Sequence, residues 1–424
     1  MKINKHCFPN GLRLVHYEDT STQMVALNIV YDVGARDEHP EHTGFAHLFE
    51  HLMFGGSAHI PDYDTPLQLA GGENNAWTNN DITNYYLTVP KPNVETAFWL
   101  ESDRMLELAF SEQSLEVQRG VVMEEFKQRC LNQPYGDVGH LFRPLAFRVH
   151  PYRWPTIGKE LSHIEQATLD EVKSFFYRFY APNNAVLAVT GNISWDETVK
   201  LTEKWFAPIP RRDVPVRQLP QEPEQTQERR LTVERNVPLD ALFMGYHMCS
   251  REGADYYAFD ILSDILSNGR SSRLNRRLVQ EQNIFSGIDA YISGTRDAGL
   301  LQISGKPAAG VSLEQAEAAV RKELEELQRS PVDGQELEKV KNKFESTQIF
   351  GNINYLNVAT NLAWFELTGK AEDIDLEVER YRSVTTEQLH TVAQRTFCES
   401  NAVVLYYKVS SINSIYPLVS DSRT

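Results

Sequence analysis

The stretch HTGFAHLFEHLMFGG (residues 42–56) sets three ionisable side chains into an otherwise apolar segment. A helix has about 3.6 residues per turn, so His47, Glu50 and His51 fall on one face. The residues between and after them are mainly apolar, which predicts a helix that is largely buried. An acid and two imidazoles in such surroundings must satisfy one another or share a cation.

This face has three possible interpretations. Two neutral imidazoles at positions i and i+4 can hold one zinc ion, with Glu50 as a general base acting on water. Alternatively, the three residues form a solvated face, in which a Glu–His pair contributes only about 0.2–0.5 kcal/mol. As a third possibility, the histidines belong to the core and bond to backbone carbonyls. The short H-x-x-E-H spacing alone does not decide between them.

Length and composition indicate a globular protein of two domains. At 424 residues, the chain exceeds what one compact core supports. The net charge, 42 − 58 = −16, argues against nucleic-acid binding, which needs a basic surface. No apolar run approaches the roughly 20 residues of a membrane span, and the N-terminus lacks the apolar region of a signal peptide. We expect a cytoplasmic protein that binds neither nucleic acid nor membrane, or a periplasmic one if a leader was removed.

A segment rich in Pro, Gln and charge divides the chain near its middle. Residues 207–228, APIPRRDVPVRQLPQEPEQTQE, contain few periodic apolar positions, which is typical of a linker. We therefore expect an N-terminal domain at residues 1–206 and a C-terminal domain at residues 229–424.

The sequences on the two sides of this linker are related. Residues 168–191 match residues 385–408 (385 − 168 = 217), and each segment predicts a helix opening at Thr, then Asn-Ala-Val and a buried strand. Residues 45–57 match residues 259–271 (259 − 45 = 214), and both predict apolar helices that end at a glycine. Two matches at nearly one offset predict a duplicated domain.

The second copy carries aliphatic residues where the first carries histidines. Packing of this helix therefore does not require histidine, which weakens the interpretation of the histidines as core residues. The corresponding residues are His47, Glu50 and His51 in the first copy and Ile261, Asp264 and Ile265 in the second.

The order of elements predicts an α+β fold. Strand-like patterns at residues 12–18, 24–33 and 84–89 accompany helical patterns at residues 93–109 and 111–131. The early strands are joined by short turns, so each domain should be a mostly antiparallel sheet packed with helices.

The second of these helices offers a third ligand. Glu125 shares a face with Val121, Val122 and Phe126 by 3, 4 spacing, so its carboxylate should point inward. An inward carboxylate among apolar side chains is costly unless it meets a cation. With the two histidines it would form a His₂Glu site with one position open for water, the pattern of catalytic zinc.

H-x-x-E-H followed by this glutamate resembles the inverzincin peptidases of the pitrilysin (M16) family, and most closely their two-domain, processing-peptidase-like branch. The resemblance extends over GGENNAWTNNDITNYYLTVP (71–90), HPYRWPTIGKELSHI (150–164) and YAPNNAVLAVTG (180–191). It implies a fold of the LuxS/MPP-like metallohydrolase type. It also implies a zinc-dependent metalloendopeptidase that hydrolyses unfolded peptides.

The resemblance also implies residue roles. The two histidines and Glu125 would bind one zinc ion per chain, and Glu50 would be the general base. The strand through Asn75 and Ala76 would be an exposed edge on which the substrate peptide pairs. Asn-Asn-Ala-Trp-Thr beside a Gly-Gly turn is independently suited to such β-augmentation, although Asn75 could also be an ordinary turn cap.

Two positions depart from the family pattern. The family usually has a second glutamate seven residues before the third ligand, and here that position is Gln118, which removes a charge beside the site. The family also places an Arg and a Tyr, seven apart, after the Gly-Arg-Ser-Ser-Arg-Leu turn. Here those positions are Val279 and Ser286, and the nearby Arg276 and Arg277 are out of register.

Peptidases of the family act in a chamber of four such domains, and this chain has two. The resemblance therefore implies a second M16-type subunit that carries the Arg/Tyr pair, in a heterodimer, although a homodimer would also close a chamber. The alternative function is a catalytically silent structural subunit. Silent members typically lose the H-x-x-E-H set, which this chain retains.

Overall fold

The computed structural model describes residues 1–410, which form two compact units. The strands are β1 (Ile3–Cys7), β2 (Arg13–Glu18), β3 (Met24–Tyr31), β4 (Glu73–Thr78), β5 (Thr83–Pro90), β6 (Ala185–Gly191), β7 (Arg229–Arg235), β8 (Ala241–Met248), β9 (Phe285–Ile292), β10 (Gly299–Pro307) and β11 (Ala402–Val409). The helices are α1 (Phe45–Leu52), α2 (Asp64–Leu69), α3 (Val94–Leu106), α4 (Glu112–Phe126), α5 (Val138–Ala146), α6 (Leu161–Glu165), α7 (Leu169–Phe179), α8 (Trp195–Trp205), α9 (Tyr256–Ser267), α10 (Leu313–Arg329), α11 (Gly334–Gly351), α12 (Tyr355–Thr368), α13 (Glu377–Ser383) and α14 (Thr386–Thr396). Within residues 1–410, no helix is long and apolar enough to cross a lipid bilayer.

The two sheets have the same strand order. The first unit has the order β1-β2-β6-β3-β5-β4, with only the β2–β6 pair parallel. The second has the order β7-β11-β8-β10-β9, with only the β7–β11 pair parallel. Apart from the additional strand β1, the two sheets match strand for strand. This match confirms the predicted α+β fold of two homologous, mostly antiparallel domains.

The repeated Asn-Ala-Val motif has the same structural role in both units. Asn184 donates its side-chain amide to the carbonyl of Phe179, the last residue of α7, at 2.8 Å. Asn401 donates to the carbonyl of Thr396, the last residue of α14, at 3.0 Å. Each asparagine thus satisfies a carbonyl that the helix end leaves without an intrahelical partner, just before the central strand begins.

Each unit also contains a segment from the other half of the sequence. The first unit consists of Met1–Leu131, Val149–Gln221 and Glu345–Glu379, so most of the expected linker packs with it. Of the described residues, the second consists of Asn132–Arg148, Glu222–Phe344 and residues 380–410. A division at a single linker does not describe this interleaving.

The interleaving has a packing reason, because one face of each sheet is covered by a helix from the other half. Apolar residues of α12, including Val358 and Leu362, form one buried cluster with Val15, Val30 and Val186 of the first sheet. Helix α5 packs in the same way on strands β7, β8 and β11. The two helices begin 355 − 138 = 217 residues apart, the same offset as the sequence repeat.

Candidate metal centre

Helix α1, which carries the H-x-x-E-H motif, is fixed at its first turn by a buried carboxylate. Gly44 precedes the helix with φ = 88°, a left-handed conformation that favours glycine, and it has no side chain to cap the helix. Glu38 takes over this function, because its two oxygens accept hydrogen bonds from the N–H groups of Gly44 and Ala46, each at 2.9 Å. Burial raises the pKa of Glu38 to about 8, against the opposing effect of these two donors.

The middle and the end of α1 are held by two other elements. The Tyr85 hydroxyl of β5 donates to the carbonyl of Phe49 at 3.3 Å. The Ser114 hydroxyl of α4 donates to the carbonyl of Gly55 at 3.1 Å. A Cβ atom on Gly55 would lie 2.4 Å from that hydroxyl oxygen, so a larger residue here would force the Ser114 hydroxyl to move and break this hydrogen bond. This contact brings the two helices that carry the candidate ligands together.

The two histidines of α1 and Glu125 of α4 form one cluster. Their ligand atoms all lie within 4.8 Å of one another, and no other group of three His, Cys, Asp or Glu residues in the described part of the chain does so. The Nε2 atoms of His47 and His51 lie 3.5 and 3.3 Å from the same oxygen of Glu125, Oε2. The His47 side chain is 10% exposed, whereas the His51 side chain is 25% exposed. The cluster therefore opens to solvent on the His51 side.

The geometry and protonation of this cluster fit a zinc ion. Ligand atoms placed tetrahedrally at about 2.0–2.1 Å from zinc lie about 3.3 Å from one another, close to the two N–O separations observed. Burial lowers the pKa of His47 to about 4, so its ring is neutral and can donate a lone pair at neutral pH. The His51 ring holds the pKa of Glu125 below its usual range, which keeps the carboxylate ionised. The buried Nδ1 atom of His47 finds no hydrogen-bond partner within residues 1–410.

Glu50 lies on the same helix, between the two histidines. Burial raises the pKa of its carboxyl above the usual range, and the nearby Glu125 carboxylate raises it further. The Thr78 hydroxyl and the His51 ring lower it in part. A carboxylate with a raised pKa is a better proton acceptor at neutral pH than a fully solvated one.

Strand β4 lies at the edge of the first sheet and contacts α1. Ala76 pairs with Tyr85 of β5, and Asn75 pairs with Tyr86. The Ala76 N–H group donates to the exposed Asn75 side-chain oxygen at 2.8 Å. The strand that contains both residues therefore lies at the sheet edge expected from the sequence, next to the helix that bears the histidines.

The other residues singled out in the sequence have clear positions. Gln118 is half-buried, and its Cγ atom would lie 3.7 Å from a Cβ atom on Gly55, so it is near the end of α1. In the second unit, Val279 packs against that unit's core, and the Ser286 hydroxyl donates to a backbone carbonyl at 3.1 Å. Arg277 is held by the carboxylates of two glutamates, Glu323 and Glu326.

One detail of the expected α4 face is wrong. Val122 and Phe126 are buried beside Glu125, but Val121 is 46% exposed. The reason is geometric, because Val121 lies about 40° around the helix from Glu125, on the side away from Val122.

Two residues that contact this site, Glu38 and Arg129, were not predicted from the sequence. Glu38 acts from a loop, and no regular spacing indicates its contact. Arg129 follows Glu125 by four residues, and the rule for i, i+4 ion pairs on a helix could have found it.

The chain matches two peptidase family models and several known proteins. Residues 13–137 match the family model described as Insulinase (Peptidase family M16), and residues 166–344 match the one described as Peptidase M16 inactive domain. The zinc protease PqqE of Helicobacter pylori is 26% identical over 405 residues, covering 94% of this chain and 91% of that protein. A Bacillus subtilis protein named uncharacterized zinc protease YmxG is 25% identical over 406 residues, covering 95% of this chain and 98% of that protein.

Solved structures of similar proteins share this fold over nearly the whole chain. A protease from Helicobacter pylori has a TM-score of 0.91 at 26% identity, over 96% of this chain and 99% of that one. A Pseudomonas fluorescens structure titled peptidase M16 inactive domain has a TM-score of 0.87 at 16% identity, over 97% and 99% of the two chains, and at that identity it shows the fold alone.

Proposed function

This chain belongs to the M16 peptidase family, and from that premise we propose that it is a zinc-dependent metalloendopeptidase that hydrolyses unfolded peptides. The observation that carries the proposal is the approach of both histidine Nε2 atoms to one oxygen of Glu125, at 3.5 and 3.3 Å. Relatives named zinc proteases that align over more than nine-tenths of the chain support it.

In this proposal, His47, His51 and Glu125 are the ligands. A zinc ion bound there would polarise the scissile carbonyl and lower the pKa of the attacking water. Glu50 would take the proton from that water and pass it to the leaving amine, a transfer that its raised pKa favours.

The substrate would be held by the edge of the first sheet. Strand β4 offers an unpaired edge next to α1, and an extended peptide can add to it as a further strand through backbone hydrogen bonds. The Asn75 side chain would release the Ala76 N–H group when the peptide pairs. A folded substrate has already used its backbone groups, so this mode selects unfolded segments.

We also propose that the chain works with a second, M16-type subunit. Val279 and Ser286 stand where the family has Arg and Tyr, and Arg277 is already paired with two glutamates. A homodimer would close a chamber, but neither copy would bring the missing pair. A heterodimer with a subunit that carries the pair would complete the catalytic groups.

A catalytically silent role fits the second half of the chain better than the first. The inactive-domain match spans residues 166–344, which include Ile261 and Ile265 at the positions of the histidines. Both isoleucines are buried in the core of the second unit, so these two positions serve packing there. The first half retains all three candidate ligands and the candidate base.

The decisive variant is Glu50→Gln, assayed on an unfolded fluorogenic peptide with the chain alone and with a candidate second subunit. We expect it to keep one zinc per chain and to lose at least about 10³-fold in kcat/KM, since the proton acceptor is gone while the ligands remain. Zinc content is the internal control. Hydrolysis at the unaltered rate would refute the assignment, and bound zinc without hydrolysis in any mixture of unaltered chains would favour the silent subunit.

A further inference from the structure

The carboxylate of Glu125 is shared between two sets of groups. Its Oε2 atom faces the two histidines, as described above, while its Oε1 atom lies 2.9 Å from Nη2 of Arg129. Arg129 is four residues further on, in the π-helical turn Lys127–Leu131 that directly follows α4. A Glu followed four residues later by an Arg lies on the same side of the helix, in the favourable order for an ion pair.

This contact restricts the orientation of the ligand. The last torsion of a glutamate side chain has a broad preference, so an unsupported carboxylate samples many orientations. With Oε1 held by a guanidinium, rotation is limited, and Oε2 stays directed at the histidines. The ion pair thus orients Oε2 toward the metal site in the metal-free protein.

We propose that Arg129 is a positioning residue for the metal centre, holding Glu125 so that it binds zinc through Oε2. The inference rests on the proposed function, because it takes His47, His51 and Glu125 as the ligands. Support from other neighbours is limited, since Nδ1 of His47 has no hydrogen-bond partner within residues 1–410 and Gln118 brings no charge. Groups that orient metal ligands commonly change metal affinity by about 10–100-fold when removed.

The positive charge of Arg129 also has an effect that opposes zinc binding. A guanidinium near a divalent cation repels it, which would weaken zinc binding. The Arg129 side chain is 68% exposed, so water and salt screen this repulsion at the distance of the metal. The ion pair with Oε1 acts at a contact distance of 2.9 Å and is screened less. The orienting effect should therefore exceed the repulsion.

The test compares Arg129→Gln and Arg129→Lys with a matched control, Lys127→Gln. Lys127 lies in the same π-helical turn, but its carboxylate neighbour is Glu124, at 3.8 Å, which is 57% exposed and is not among the candidate ligands. Zinc affinity is measured by chelator competition, and the melting temperature is measured on the metal-free proteins.

We expect Arg129→Gln to weaken zinc binding by about 10–100-fold. Arg129→Lys should recover part of the affinity, since it keeps the charge without the forked donor geometry. Lys127→Gln should bind zinc like the unaltered chain. The metal-free melting temperatures should agree, because an exposed ion pair contributes little to folding.

Unchanged affinity in Arg129→Gln would overturn the inference, and tighter binding would overturn it by showing that repulsion prevails. Either result leaves the proposed function intact if His51→Asn abolishes binding. If the unaltered chain binds no zinc, or if His51→Asn binds it equally well, the proposed function and the inference fall together.

Discussion

At the residue scale, Glu38 determines how the helix with the candidate ligands begins. A carboxylate seven residues before Phe45 substitutes for the missing side-chain cap at Gly44, and both of its oxygens are used. Oxygen acceptors at this end of a helix are favourable, since the first N–H groups have no intrahelical partner and carry a partial positive charge. Helix α1 is short, so its first turn is a large part of it.

Glu38→Ala should lower the free energy of unfolding by about 1–3 kcal/mol, because two buried N–H groups lose their acceptors. Denaturant unfolding of the metal-free protein measures the change. Glu41→Ala is the matched control, an exposed carboxylate in the same loop, and it should stay within about 0.5 kcal/mol. Equal stability of the two variants would mean that the helix start is held by other contacts.

At the element scale, β4 combines an open edge with contact to α1. Ala76→Pro removes the N–H group that would bond to a paired peptide, and we expect KM to rise by about tenfold or more. Ala76→Gly keeps that donor and should leave KM within about threefold. Zinc content should not change in either variant, since neither alters a candidate ligand. A normal KM in Ala76→Pro would show that substrate binds elsewhere.

Local elements were largely predictable from the sequence, because spacing and turn residues are local signals. The strands expected at residues 12–18, 24–33 and 84–89 appear as β2, β3 and β5, and the helix expected at 93–109 ends at Leu106. Helical spacing predicted that Glu125 faces inward, and the resemblance to the family predicted that it joins the two histidines, with which it forms one cluster. The cap by Glu38 was not predictable, because it depends on how a loop folds back.

At the scale of the whole molecule, the exchange of α5 and α12 was not predictable. Either helix has the length and pattern to pack on the sheet of its own half. Their exchange depends on non-local packing, such as the ring of Phe142 on α5, which would lie 2.8 Å from a Cβ atom on Gly245. Neither half of the sequence therefore contains all the helices that cover its own sheet.

The central claim is that two histidines and one glutamate from two helices hold a catalytic zinc ion. X-ray absorption at the zinc edge, recorded on the whole chain, tests it most directly and needs no partner subunit. We predict one zinc per chain with two imidazole nitrogens and only oxygen besides, at about 2.0–2.1 Å, and a changed spectrum in Glu125→Gln. A sulfur ligand at about 2.3 Å, or a spectrum that Glu125→Gln leaves unaltered, would contradict the claim.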